Sequence, residues 1–171
     1  MDQHAKPALP FSGHDAVEAY LASGYDQVVG MSSRFAAAIC ARLLRLQTEE
    51  GLRGPIAEIG AFEGRFFIAL AHALEQDEIA LALDIFSWPD PGVEQRFEAN
   101  CARHGIGPER RRTIKGDAGA MAPADLLAKA GGVPLRFTRW PIIRVIPRTS
   151  HGAARERATR ALPCPVTTTS G

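Results

Sequence analysis

Short apolar runs and longer amphipathic stretches alternate along this chain, with glycines and acidic residues at the joins. Residues 56–59 (Ile-Ala-Glu-Ile) and 79–83 (Ile-Ala-Leu-Ala-Leu) are nearly unbroken apolar runs, as expected of strands covered on both faces. Elsewhere the apolar spacing lengthens to that of a helix, predicting helices over residues 15–22, 32–47, 65–74 and 93–104. In the second helix Phe35, Ile39, Leu43 and Leu46 fall on one face, and Ser32 or Ser33 suits the N-cap. In the fourth, Val93, Phe97 and Cys101 make the apolar stripe, and Gly105 stands where such a helix closes. Strands alternating with helix-length segments predict an α/β three-layer sandwich around a mostly parallel sheet. The strand at Ile56 is expected at its centre with the strand at Ile79 beside it, and the two leading helices are expected to pack on the sheet.

The joins carry the candidate chemistry. Gly60 follows the first strand, where a missing side chain permits a sharp turn and close approach of a ligand to the backbone. Gly64 opens the next helix, whose free N–H groups and positive dipole end favour a carboxylate or phosphate. Asp84 ends the second strand, where a carboxylate can accept both hydrogen bonds of a ribose diol. Strand, glycine turn, helix, strand and acid form the arrangement that binds an adenosine-containing cofactor. Asp84→Ala is therefore expected to weaken such binding without harming the fold. A dinucleotide site needs a middle glycine that is absent here, which disfavours an NAD-dependent oxidoreductase. Glu58, a carboxylate in an apolar strand, must find a partner: either backbone of the turn or the amino group of a cofactor.

The segment Glu58-Ile-Gly60-Ala-Phe-Glu-Gly64 resembles motif I of the class I S-adenosylmethionine-dependent methyltransferases, in the form E-I-G-x-x-x-G. Arg111-Arg-Thr-Ile-Lys-Gly-Asp117-Ala is similar to that family's third strand and the acidic turn that lies against adenine. Pro123-Ala-Asp-Leu-Leu-Ala is similar to the helix that follows, so the resemblance covers about residues 54–137. It implies a Rossmann-like sandwich, incomplete at its C-terminal side, with S-adenosyl-L-methionine as cofactor. The cofactor contacts it implies are Glu58, Gly60, Ala61, Phe62, Gly64, Asp84, Ile85, Phe86, Asp117 and Ala118. Phe86 is preferred to Trp88 against adenine because it is nearer Asp84, and Asp117 has the alternative role of a helix N-cap. The implied activity is methyl transfer to a small-molecule or saccharide acceptor. No catalytic base and no metal ligand is assigned, because in that family they come from the fourth strand onward. The alternative is a truncated, noncatalytic domain that binds cofactor or oligomerises.

Composition narrows the partners. With 46% hydrophobic residues, 23% charged residues and a net charge of +1, the chain reads as a soluble globular protein without nucleic-acid steering. No run approaches the ~20 apolar residues of a membrane span, and the polar start lacks a signal-peptide core, so a cytoplasmic protein is expected. Cys40, Cys101 and Cys164 show no Cys-x-x-Cys spacing and read as ordinary thiols. The Arg110-Arg-Arg112 run reads as solvated, and His104 suits a helix end.

Charge divides the chain unevenly. Residues 1–137 carry 14 basic and 18 acidic side chains, whereas residues 138–171 carry six arginines, a single glutamate, Glu156, and no Lys or Asp. The expected organisation is a helical leader over residues 1–50, a cofactor-binding core over 51–137 and an Arg/Pro-rich tail over 138–171. Two explanations of the tail stay open: a native segment used for contacts, or a shifted reading frame after about Phe137. Either way the sheet is expected to end early, with the tail irregular or swapped onto a neighbour. Its uncovered edge predicts a homo-oligomer with weak or absent methyl transfer.

Overall fold

The computed structural model describes residues 11–129, 136–139 and 142–144. Its order is α1 (Asp15–Ser23), a 3₁₀ turn (Tyr25–Gln27), α2 (Arg34–Glu49), β1 (Ile56–Ile59), α3 (Arg65–His72), β2 (Ala80–Asp84), α4 (Val93–Arg103), β3 (Arg111–Lys115), α5 (Pro123–Lys129), β4 (Arg136–Arg139) and β5 (Ile142–Arg144). The sheet order is β3-β2-β1-β4-β5. β1 lies parallel to β2 and to β4, and β2 parallel to β3, while β5 runs antiparallel to β4. The expected α/β sandwich is therefore present, with β1 central and β2 beside it. Strand order reverses between β1 and β4, and a crevice opens at the carboxyl ends of β1 and β2.

The two-residue period of the strands divides the core. Ile56, Ala80 and Ala82 face a large cluster that includes residues of α1 to α4. Ala57, Leu81, Leu83 and Ile114 face a smaller one with Leu126 of α5. Helices thus cover both faces, as side chains pointing alternately up and down require. Phe66 to Ala71 of α3 are all buried, which a helix apolar all round demands. Fully burying Phe67, Ile68 and Leu70 contributes roughly 1.5–3 kcal/mol each.

The N-cap of α2 is Ser33, whose side chain accepts from the Ala36 N–H at 3.1 Å. Its apolar face corrects the pattern-based expectation. The buried positions are Ala36, Ala37, Ala38, Ala41 and Leu44, whereas Phe35 is 69% exposed and Leu43 and Leu46 are also exposed. α2 packs mainly against α3 rather than directly on the sheet, and small side chains let two helices approach closely. The bulky positions turn outward, where Phe35 meets Phe11 with ring centroids 6.2 Å apart.

Helix ends are closed by identifiable groups. After α4, Gly105 at φ +74 donates to the carbonyl of Ala102 and Ile106 to that of Cys101, the paired pattern that a left-handed glycine permits. The Arg110 guanidinium donates to the carbonyls of Ala71 and Leu74, satisfying the C-terminal end of α3. Arg111 pairs with Glu98. Only Arg112 of the arginine run is exposed, so reading the whole run as solvated is corrected.

β4 continues past Phe137 to Arg139, with Glu58 opposite Thr138, and β5 adds a further strand to the sheet. Among the described residues, sheet pairing thus extends past Phe137 to Arg144. The other expectations for the tail fall on residues outside those described.

Candidate functional site

At the end of β1 the chain turns on Gly60, held at φ +83 with its N–H donating to the Leu83 carbonyl at 2.8 Å. A Cβ placed on Gly60 would meet no atom of the described residues within 4 Å beyond its chain neighbours. The backbone there borders open space, so the glycine leaves room for something outside the chain. Gly64 differs. It too is left-handed, at φ +93, but a Cβ there would lie 3.1 Å from Cδ2 of Phe97. It serves the packing of the turn on α4.

Asp84 joins the two turns that face the crevice. One carboxylate oxygen accepts from the Phe62 N–H and the other from the Phe86 N–H, each at 2.8 Å. Both residues adopt positive φ, +52 and +48, so the carboxylate fixes two strained turns together. Each oxygen keeps acceptor capacity for a diol. Asp84→Ala is therefore expected to cost stability as well as binding. Hydrogen bonds to a charged group contribute about 1.5–3 kcal/mol each. Asp84→Ala is expected to lower the unfolding free energy by at least ~2 kcal/mol in urea titration, whereas Asp84→Asn, which keeps one acceptor, should lose less.

Phe86 faces away from the crevice. Its backbone, turned by the bond to Asp84, sends the ring into the core, where it is 0% exposed and 5.3 Å from the Phe97 centroid. Trp88 borders the crevice beside Phe62, 60% exposed and with its ring centroid 6.1 Å from that of Phe62. Asp117 accepts from the Gly119 N–H at 2.7 Å, which stabilises its own turn. It does not cap α5, which starts at Pro123.

The crevice has two lobes that share Met31, Ile59, Gly60 and Phe62. The first, of about 360 Å³, is completed by Val29, Gly30, Ser32, Glu58, Ala61, Arg65 and Phe66. The second, of about 340 Å³, is completed by Leu83, Asp84, Ile85, Trp88, Gly116, Asp117 and Ala118. Eight of the ten residues expected at the site therefore border one crevice, and Gly64 and Phe86 do not.

Glu58 is the most unusual of them. It is 8% exposed, and its Oε2 has no hydrogen-bond partner among the described residues. Burial first, and the nearby Asp84 charge second, push its carboxyl up to about 8. A buried acceptor without a partner costs about 1–3 kcal/mol, and a cationic donor in the first lobe would relieve it.

Sequence reasoning missed two groups. Arg96 of α4 pairs with buried Glu63 at 2.6 Å and with Asp90 at 2.9 Å, fastening the turns after β1 and β2 to one helix. The leader's residues 29–32 wall the first lobe, and the glycine in Val28-Val-Gly-Met31 was the signal available. Among the described residues no three or more His, Cys, Asp or Glu gather as a metal ion would need. No helix there is long and apolar enough to cross a membrane. Burial pushes the Cys40 thiol up to about 11 and that of Cys101 to about 12, so both stay protonated near neutrality.

No family model and no curated protein matches the chain. Among solved structures it is similar to the cofactor-bound protein Rv0187 of MTB, at 20% identity over 74% of this chain and 54% of that one, with a TM-score of 0.47. It is also similar to the O-methyltransferase TomG of Streptomyces achromogenes, solved with S-adenosylmethionine, at 21% identity over 67% and 46%, TM-score 0.41. A third is an O-methyltransferase of Bacillus cereus solved with S-adenosylhomocysteine, at 18% identity over 72% and 54%, TM-score 0.44. The chain spans about half the length of these structures.

Proposed function

We propose that this chain binds S-adenosyl-L-methionine and serves methyl transfer to a small-molecule or saccharide acceptor. The observation that carries this reading is the open space over Gly60, set between Glu58, whose Oε2 has no hydrogen-bond partner among the described residues, and the strand-end Asp84. The residues fit the cofactor's chemistry part by part. Asp84 retains acceptor sites for the ribose hydroxyls. Trp88, Ile85 and Ala118 offer an apolar border for adenine, with Asp117 beside them. Glu58 would accept from the amino group, ending its lack of a partner.

Bound there, the cofactor supplies a methyl group already activated by its sulfonium. The chain's part is to hold it, orient it and keep water away, which positioning alone can turn into large rate gains. Phe62 occupies the position where a dinucleotide turn needs its second glycine, which weighs against NAD.

Calorimetric titration with S-adenosylhomocysteine, S-adenosylmethionine and NAD in parallel tests the reading. Binding of the first two at Kd on the order of micromolar, about −8 kcal/mol, with no heat from NAD, is expected. Binding of NAD alone, or of none of the three, would overturn it. Binding without turnover on any acceptor would instead leave the noncatalytic alternative standing.

A further inference from the structure

The first lobe is closed by chain that precedes the strand-turn-helix unit, and the Arg65 side chain fastens that chain to α3. Arg65, the first residue of α3, donates from Nε to the carbonyls of Tyr25 at 3.1 Å and Val28 at 2.6 Å, and from Nη1 to that of Gly30 at 2.8 Å. Its guanidinium carbon lies 5.1 Å from the centroid of the Tyr25 ring, and Asp26 stands 3.8 Å from Nη2. The Tyr25 hydroxyl in turn lies 2.7 Å from Ser32 Oγ and donates to the Ser33 carbonyl at 3.0 Å.

Approach is close throughout. A Cβ on Gly30 would stand 2.7 Å from the Cβ of Arg65 and 3.0 Å from its Cδ, so only glycine lets the leader lie against the start of α3. The planar, fixed fork of a guanidinium suits several carbonyls at once, which a lysine ammonium would hold with less geometric definition. Residues 29–32, bracketed by these bonds, border the lobe that contains Glu58. Apart from Met31, none of them borders the lobe of Asp84 and Asp117.

We infer that Arg65 is a positioning residue: it clasps residues 28–32 as the wall of the lobe that takes the amino-acid end of the cofactor. Binding of that end depends on it, and binding of the nucleoside end does not. The inference rests on the cofactor reading above and adds a division of labour that the strand-turn-helix motif does not contain.

The experiment compares S-adenosylhomocysteine, which fills both lobes, with adenosine, which fills one. In the wild-type chain, hydrogen exchange at the amides of residues 29–32 should slow with S-adenosylhomocysteine and stay unchanged with adenosine. Arg65→Gln keeps polarity but loses the fork, and should weaken S-adenosylhomocysteine at least about tenfold. Adenosine should stay within about twofold of wild type. Gly30→Ala forces the same separation and should show the same split.

Equal protection of residues 29–32 by both ligands would overturn the inference. So would an Arg65→Gln chain that binds S-adenosylhomocysteine as wild type does, or folded variants that lose both ligands alike, the mark of a merely structural role. Should Arg65→Gln fail to fold, Gly30→Ala and the wild-type exchange decide. A wild type that binds neither ligand removes the cofactor reading and the inference with it, whereas failure of the split in a wild type that binds both removes the inference alone.

Discussion

Gly60→Val is expected to abolish binding of S-adenosylhomocysteine in a chain that still folds. Two effects add at this position. Gly60 sits at φ +83 and its N–H is committed to the Leu83 carbonyl, so the turn cannot relax simply by changing φ. A branched residue held in the left-handed region costs on the order of 1–3 kcal/mol. The new side chain would meet no atom of the described residues at its Cβ, and it projects into the space that the two lobes share. The strain reduces stability, whereas the obstruction acts on the ligand.

Gly51 separates these terms. It has φ +78 and equally open space at its Cβ, yet it lies in the turn after α2 and borders neither lobe. Gly51→Val should lower the melting temperature by about as much as Gly60→Val and bind S-adenosylhomocysteine as wild type does. The check is a thermal melt and a calorimetric titration of each variant. Wild-type affinity in Gly60→Val would place the ligand elsewhere and remove the turn from the site.

How far the sequence could be read follows from which forces are local. Strands β1 and β2 and the turn between β1 and α3 were legible because apolar runs, a glycine and a strand-end acid act over a few residues. The register of α2 was not. Its periodicity places Phe35, Ile39, Leu43 and Leu46 together, but the alanine face offers closer approach to α3, and that choice depends on a partner helix remote in sequence. The direction of the Phe86 ring was hidden for a similar reason. Proximity to Asp84 along the chain said nothing of the bond from the Phe86 N–H to that carboxylate, which reverses the direction of the ring. Arg65 and Arg96 carried no signal in the sequence, because only the fold brings backbone carbonyls of the leader to one and two acidic turns to the other.

Glu58 supplies the second large effect, read through pH. In the folded chain its carboxyl is pushed up to about 8, against 4.5 when unfolded, by burial and then by Asp84. The sign follows from proton counts. Between those values the unfolded state has released a proton that the folded state keeps, so raising the pH favours unfolding. The slope approaches about 1.4 kcal/mol per pH unit and disappears above the folded value, where both states are ionised. His14, His72 and His104 are shifted the other way, chiefly by burial. Their stabilisation is lost on acidification below the ordinary value of 6.5, so they are nearly silent between about pH 7 and pH 8. Within that window the ligand-free chain should lose about 1 kcal/mol of stability in urea titration, and Glu58→Gln should lose none. An ammonium placed against Glu58 favours its ionised form, so saturating S-adenosylhomocysteine should flatten the slope, and its affinity should rise with pH across the window. Glu58→Gln should bind it at least about tenfold more weakly. Asp84→Asn removes the second cause of the shift and should move the decline to lower pH. A wild-type profile that is flat from about pH 7 to pH 8 would mean that the Glu58 carboxyl is already partnered, and the amino-group site would have to be sought outside the first lobe.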